Sequence, residues 1–171
     1  MTANIPPSSF NVILRRVRGA DFVPPERLLA VDPGETIGWA SFTRSQLERF
    51  GELSLPKGRT DSSLLEAHTP ILSLFGTPQL RPTIVVAEDY RVFGSKTRQH
   101  AWSDLRTVRL LGYLEAVCDQ YNIPLYLQTA ATKQFCTNVK LKTWGYYPVG
   151  RPHACDAVRH GCYWLLFNKG K

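Results

Sequence analysis

Short apolar runs, each closed by turn residues, dominate the first half of the chain. Leu28–Val31 is a continuous apolar run with the length of a buried strand, and Pro33 with Gly34 marks a turn directly after it. Ile37–Phe42 predicts the hairpin partner of this strand, and Arg49–Leu55 predicts a third strand. The three runs together indicate an antiparallel meander.

The rest of the chain alternates between helical and strand patterns. Thr83–Ala87 is β-branched and apolar, which favours a strand, and Ser95–Tyr121 has helical periodicity. The order of the elements predicts an α/β fold with a mixed sheet, in which βα crossovers follow the meander. The remaining predicted elements are a helix around Ser62–Phe75, a strand at Ile123–Gln128 and a closing helix at Arg151–Phe167.

The long helix carries two apolar stripes. A helix of this kind packs against two partners, its own sheet and something else. Gly112, in the middle of the helix, allows a close approach of another backbone. One stripe consists of Ala101, Leu105, Val108 and Leu111, and the other of Leu110, Leu114 and Val117.

Composition and charge set the broad class of the protein. The 171 residues favour a single domain at 27–171, preceded by a basic, proline-containing N-terminal extension at 1–26. A formal net charge of +7 fits a polyanionic partner and a solvated surface about equally well. No run has the apolar character of a membrane span or a signal peptide, so we expect a cytoplasmic protein without a membrane partner. The four cysteines form no CxxC pair, which indicates free, partly buried thiols.

Three acids stand at the ends of predicted elements. Asp32 follows the first strand, Glu88 follows the fourth, and Asp156 lies in the first turns of the last helix, on the same face as His153. Clustered carboxylates repel one another unless a cation joins them, and oxygen ligands with one imidazole suit Mg²⁺ or Mn²⁺. Two such ions activate a water and stabilise the leaving oxygen of a phosphodiester. With the basic surplus, the pattern indicates a nuclease.

Each of these residues also has a purely structural explanation. An acid that ends a strand is often a turn former or a helix cap. His153 can likewise be a helix-start residue, and His160 is expected to be a surface or capping residue. The metal site is favoured because the three acids occur together on this topology.

Three stretches carry a family resemblance: LLAVDPGETIGWA, IVVAEDYRVF and RPHACDAVRHGCYWLL. They resemble the RuvC family of Holliday-junction resolvases, of the RNase H-like superfamily, and especially its phage-borne members, over about residues 28–167. The resemblance implies an RNase H-like α/β fold, with a mixed five-stranded sheet and helices on both faces. It implies a homodimer that uses two Mg²⁺ ions, replaceable by Mn²⁺, to nick a four-way DNA junction in symmetric pairs, in the host cytoplasm if phage-encoded. The implied catalytic and metal-binding residues are Asp32, Glu88, His153 and Asp156.

The resemblance extends to residues that contact DNA. The stretch LYLQTAATKQF resembles the family segment that supplies a basic residue to the scissile phosphate, and Lys133 is the matching position. The segment between Lys133 and His153 is shorter than in bacterial members, so Lys140 or Lys142 is expected to replace a family lysine. The family inserts an aromatic from the loop after Glu88 into the junction centre. The expected DNA contacts are Tyr90, Phe93, Lys96, Arg98, Lys140 and Lys142.

A homodimer would give the second apolar stripe of the long helix its partner. We therefore expect Leu110, Leu114 and Val117 to form the contact between subunits, with Gly112 permitting close approach. A two-fold axis would then place one Asp32–Glu88–Asp156 site on each of two equivalent strands.

Other functions share part of this pattern. An RNA-processing nuclease of the YqgF type also carries a DxG turn, and a non-catalytic nucleic-acid-binding RNase H-like module is a further alternative. An ATP-binding domain of the actin and hexokinase type begins with a DxG hairpin too, but 171 residues do not supply its two large lobes. The Glu88 strand followed by a long, doubly apolar helix favours the resolvase.

Overall fold

The computed structural model describes residues 9–54, 71–90 and 101–168 of the chain. The predicted strands and the last helix are all present, with ends that differ by at most three residues from the predicted bounds. Most of the helix predicted at Ser62–Phe75 and the start of that predicted at Ser95–Tyr121 lie outside the described residues. None of the described helices combines the length and apolar character needed to cross a bilayer. The elements are α1 (Ser9–Arg18), β1 (Arg27–Asp32), β2 (Thr36–Thr43), β3 (Gln46–Ser54), α2 (helical residues 71–76), β4 (Ile84–Glu88), α3 (Ala101–Gln120), β5 (Leu125–Gln128), a 3₁₀ helix (Ala130–Phe135), α4 (Asn138–Trp144) and α5 (Pro152–Phe167).

A five-stranded mixed sheet forms the centre of the molecule, with the strand order β3-β2-β1-β4-β5. β1, β2 and β3 pair antiparallel as the predicted meander, and β4 and β5 are parallel to β1. The predicted α/β class with a mixed five-stranded sheet is confirmed. Because β1 and β4 are parallel neighbours, their carboxyl ends meet at one edge of the sheet.

The sheet separates two apolar cores, and alternation along the strands decides which residue enters which core. On β1, Leu28 and Ala30 enter the core beneath α5, whereas Leu29 and Val31 enter the core beneath α2 and α3. On β4, Val86 likewise lies on the α5 side. Helices therefore cover both faces, and the residue that follows Val31 points towards α5.

Helix α1 contributes to the core on the α5 side. Phe10 and Leu14 are buried, and the Phe10 ring lies 5.0 Å from that of Trp144 and 5.2 Å from that of Tyr146 between centroids. Ser45 Oγ donates a hydrogen bond to Asn11 Oδ1 over 2.5 Å, which ties α1 to the β2–β3 hairpin. Within the span predicted as an N-terminal extension, this amphipathic helix is thus packed on the domain.

The subunit contact predicted on α3 is wrong in its residues. Leu110 and Leu114 are 2% and 0% exposed and lie, with Val117 packed beside them, in the core beneath α3. Thr107 is also buried, and because it is polar it obscures this stripe in a hydrophobic pattern. The opposite face of α3 carries exposed Val108 and Gly112, so this face is the one available to a partner.

The four cysteines, predicted to be free and partly buried thiols, are free and all buried. Burial raises the pKa of the Cys118 and Cys136 thiols to about 12.

Candidate metal centre

One row of residues crosses all five strands at the carboxyl end of β1, on the face covered by α5. Pairing joins Glu52 of β3 to Gly38 of β2, and Gly38 to Asp32 of β1. Val31 pairs with Ala87, so Asp32 and Glu88 are the next residues along two parallel strands, and Glu88 pairs with Gln128 of β5. In-register neighbours point to the same face of a sheet. This terminal row therefore directs two predicted catalytic acids towards α5.

Helix α5 crosses directly over the terminal row because one member of the row has no side chain. A Cβ atom on Gly38 would lie only 1.9 Å from the backbone oxygen of His153. A second close contact occurs at Gly161, where a Cβ would lie 2.3 Å from the Phe42 ring. The two glycines let the backbone of α5 approach the sheet, which brings the side chains of its first turns down to the acids.

The amino end of α5 is held by an acid from β3. Glu52 Oε1 accepts hydrogen bonds from the backbone N–H groups of His153 (2.7 Å) and Ala154 (3.2 Å). The N-cap residue itself, Arg151, makes no side-chain capping bond. A carboxylate at this position satisfies two N–H groups and interacts favourably with the positive end of the helix dipole. Glu52 thus anchors the helix turn that carries His153 and Asp156.

Lys133 lies at the centre of the acid cluster. Its Nζ atom is 2.6 Å from Glu88 Oε2, 2.9 Å from Asp156 Oδ2 and 3.1 Å from Asp32 Oδ1. The lysine comes from the 3₁₀ helix that follows β5, so the cluster joins two strand ends, one helix and one connecting segment. A single ammonium group is therefore in contact with three carboxylates.

The pKa values of Asp32, Glu88 and Lys133 are shifted in different ways. Burial raises the pKa of Asp32 to about 7, against the opposing effect of the Lys133 ammonium and with the support of the nearby acids. Burial also raises the pKa of Glu88, but hydrogen bonds from His160 and Lys133 outweigh it and hold that pKa at about 2. Burial lowers the pKa of Lys133, and its three acidic partners more than reverse this, so Lys133 stays charged. Of Asp32 and Glu88, Asp32 is thus the acid whose negative charge is less well compensated.

Asp156 is held in place from its own helix. Arg159 NH1 donates to Asp156 Oδ1, and Arg159 NH2 donates to Asn138 Oδ1 at the start of α4. Oδ2 of Asp156 is the atom that accepts from Lys133. Arg159 therefore occupies one oxygen of Asp156 and leaves the other directed at the centre of the cluster.

The two histidines of α5 occupy opposite sides of the cluster. His153 lies on the open side, with a side chain 43% exposed and Nδ1 3.6 Å from Asp32 Oδ2. His160 is completely buried, with Nε2 3.0 Å from Glu88 Oε2. The expectation that His160 is a surface or capping residue is wrong. The reason is that α5 crosses the whole terminal row, so a residue two turns after His153 reaches β4 and β5.

The donor set fits a hard divalent cation. Three carboxylates from separate elements meet at one point, where a single ammonium group compensates only part of their negative charge. Oxygen-rich sites of this kind suit Mg²⁺ or Mn²⁺. Asp32, Glu88 and His160 also present ligand atoms that all lie within 4.8 Å of one another. The cluster therefore has the charge and the oxygen ligands that a metal ion requires.

The residues predicted to contact DNA lie outside this cluster or outside the described residues. Lys140 and Lys142 are exposed on α4, where Lys140 Nζ donates to the Phe135 carbonyl (2.6 Å) and Lys142 Nζ lies 4.9 Å from the centre of the Tyr147 ring. Tyr90 follows Glu88 by two residues and is half-buried. Phe93, Lys96 and Arg98 belong to residues 91–100, which the structure does not describe.

Sequence reasoning missed three residues that shape the centre: Glu52, Gln128 and Arg159. Arg159 follows Asp156 by three residues on a helix, a spacing that indicates an ion pair. Gln128 ends a predicted strand, as Asp32 and Glu88 do, and this was the signal that it joins their row. Glu52 carries no such signal, because it caps a helix that begins about a hundred residues later.

Comparison with solved structures identifies the fold. The chain is similar to the Thermus thermophilus RuvC in complex with a Holliday junction substrate, with a TM-score of 0.66 and 14% identity over 82% of this chain and 92% of that chain. It is similar to a second Thermus thermophilus RuvC structure, with a TM-score of 0.61 and 13% identity over 82% and 93% of the two chains. The yeast mitochondrial Holliday junction resolvase Ydc2 matches with a TM-score of 0.54 and 15% identity, over 91% of this chain and 84% of that chain.

These likenesses concern the fold, since the identities are low. No protein-family model matches the chain, and no curated protein sequence matches it. The fold is the RNase H-like α/β fold of RuvC-type resolvases, as the sequence resemblance implied.

Proposed function

We propose that this protein is a metal-dependent, structure-selective DNA endonuclease that resolves four-way junctions by paired symmetric nicks. The observation that carries the proposal is the convergence of Asp32, Glu88 and Asp156 on one cation position, at the edge of a RuvC-type sheet. A similar structure is described as a RuvC bound to a Holliday junction substrate, which supports branched DNA as the substrate class.

The acid cluster would hold two Mg²⁺ ions, with Mn²⁺ as a substitute. Asp32, Glu88 and Asp156 supply the oxygen ligands, and His153 adds an imidazole on the open side. Ions held there supply a water nucleophile of lowered pKa and charge stabilisation at the leaving oxygen. Lys133, which partly compensates the charge of the acids in the absence of metal ions, is then available to the scissile phosphate, the role that the family resemblance implies for it.

Charge and exposed side chains support a DNA partner. The chain has a net charge of +7, and phosphate contacts supply most of the affinity of sequence-independent DNA binding. Lys140 and Lys142 are exposed on α4, directly after the segment that carries Lys133. We assign these lysines to the DNA path, together with Tyr90 and the segment that contains Phe93, Lys96 and Arg98.

The test uses purified full-length protein and a labelled four-way junction, with Mg²⁺ in one arm and EDTA in the other. We expect symmetric nicks in the Mg²⁺ arm and none with EDTA, and Asp32→Asn is the matched inactive control. A panel of flap, duplex and RNA substrates in the same buffer separates the related activities. Preferential cleavage of RNA would favour the YqgF-type alternative, and binding without cleavage in any metal would favour a non-catalytic module.

A further inference from the structure

The imidazole of His160 is enclosed between the sheet and α5, behind the acid cluster. Its Nε2 lies 3.0 Å from Glu88 Oε2, and its Nδ1 lies 2.8 Å from Gln128 Oε1 and 3.2 Å from Thr132 Oγ1. The side chain is 0% exposed. Both ring nitrogens therefore have polar partners, which is what a buried imidazole requires.

The arrangement follows from register and helix spacing. Glu88 and Gln128 are paired neighbours on β4 and β5, so their side chains lie side by side on the α5 face. His160 lies one helical turn after Asp156 and sits above this pair. One ring nitrogen reaches each of the two strands, so the imidazole bridges a polar side chain and a predicted metal-binding carboxylate.

Two roles for His160 are consistent with its nearness to the acids. As a metal ligand, it would bind an ion shared with Asp32 and Glu88, since the ligand atoms of the three residues all lie within 4.8 Å of one another. As a positioning residue, it keeps Nε2 on Glu88. The Lys133 ammonium marks the cation position between Asp32, Glu88 and Asp156, and His160 Nε2 contacts the same oxygen of Glu88, Oε2, as the ammonium does, while Gln128 and Thr132 hold the other ring nitrogen.

We propose that His160 is a positioning residue: Gln128 and Thr132 fix its ring, and its Nε2–H fixes the Glu88 carboxylate for the metal ion. The inference rests on the proposed function, because it assumes a metal ion at the acid cluster. Groups that orient a metal ligand in this way commonly change metal affinity or activity by about 10–100-fold when they are removed. His160 would then determine metal affinity without touching the metal.

The test titrates Mg²⁺ and Mn²⁺ separately into the metal-free full-length protein and follows the thermal midpoint, with junction nicking as a second readout. The variants are His160→Met, which removes the hydrogen bonds of both ring nitrogens, and His160→Gln, which retains an N–H donor. We expect the half-saturating concentration of both ions to rise about 10–100-fold in His160→Met and to recover in part in His160→Gln. Leu165→Ala, a change at a buried residue of the same helix, is the control for simple destabilisation. It should lower the thermal midpoint and leave the half-saturating concentration unchanged.

The outcomes separate the possible roles. A His160→Met protein with the metal dependence of the parent overturns the inference and leaves His160 as a packing residue. A loss confined to Mn²⁺ overturns it in favour of direct ligation, because imidazole prefers the softer ion. If His160→Met does not fold, Gln128→Met, a change at the half-buried end of β5, is tested instead. We expect its half-saturating concentration to rise for both ions, by less than is expected for His160→Met. An unchanged half-saturating concentration would overturn the inference. A parent protein that no divalent ion stabilises refutes the proposed function itself.

Discussion

Asp32 combines deep burial with a charge that the metal-free protein compensates only in part. Its side chain is 10% exposed, and burial raises its pKa to about 7 from an ordinary value of 3.8. An acid whose pKa is raised by folding contributes stability below its unfolded pKa, and this contribution is lost as the pH rises through the folded value. Above pH 7 the ionised Asp32 therefore costs stability, which a bound cation would offset.

We expect Asp32→Asn to abolish nicking and yet stabilise the metal-free protein at pH 8. The variant removes the buried charge, and about 1 kcal/mol moves the thermal midpoint by roughly 2–4 °C in a domain of this size. The gain should shrink towards pH 5, where the parent carboxyl is protonated. Thermal unfolding in EDTA from pH 5 to pH 8 measures both effects, with Asp21→Asn at an exposed site as the control. A variant less stable than the parent throughout would mean that Lys133 fully compensates Asp32.

Lys133 serves as the internal counter-ion of three carboxylates in the metal-free protein. We expect Lys133→Met to lower the thermal midpoint in EDTA, since it leaves like charges together without a cation. Mg²⁺ should then raise the midpoint by more than it does in the parent, because the ion no longer competes with an ammonium group.

Differential scanning fluorimetry with and without Mg²⁺ tests the competition between Lys133 and the metal ion. Lys140→Met, the same change at an exposed lysine of α4, should alter neither the midpoint in EDTA nor the Mg²⁺ effect. An equal or smaller Mg²⁺ effect in Lys133→Met than in the parent would contradict the competition.

At the scale of elements, the position of α5 over the sheet depends on the missing side chain of Gly38. We expect Gly38→Ala to destabilise the protein by about 1–3 kcal/mol, the usual cost of overpacking, because the new methyl group meets the His153 backbone. Nicking should fall further than stability alone explains, since His153 and Asp156 move with the helix. Gly76→Ala, where a Cβ meets nothing within 4 Å, is the control for chemical denaturation and cleavage assays. Parent-like activity in Gly38→Ala would show that α5 tolerates a shift.

The strands and the acids at their ends could be predicted from the sequence, because a buried strand is a continuous apolar run and a charged residue at its end is easily recognised. The rotation of a helix about its own axis, which decides which of its residues are buried, could not be predicted from the sequence. His160 was expected at the surface and Leu110 at a subunit contact, yet both are buried, since tertiary packing decides which face of α5 and α3 meets the sheet. Glu52 was not predicted as a site residue because α5, the helix that it caps, is remote in sequence.

At the scale of the whole molecule, the exposed face of α3 is the surface that we assign to a homodimer. Val108 is 46% exposed there, and a Cβ on Gly112 meets nothing within 4 Å, so a second helix can approach closely. We expect Val108→Glu to give a monomer by light scattering and to convert paired nicks into single nicks. Substitutions at Leu110 or Leu114 are unsuited to this test, because both side chains belong to the core.

Val17→Glu is the matched control for the dimer, since Val17 is also helical and 46% exposed but lies on α1. It should leave the mass in solution and the pairing of nicks unchanged. A parent protein that is monomeric at assay concentrations and still makes paired nicks would refute the dimer.

The crossing of α5 over the terminal row also has a consequence for synthesis. Asp32 and Glu88 leave the ribosome long before Asp156 is added, and domains fold largely as units during translation. Until α5 has been made and has docked on Gly38 and Glu52, the acids lack the third carboxylate and the helix that orients them. Until α5 has been made, a nascent chain therefore carries no assembled acid cluster, even though its sheet and two of the three acids are already present.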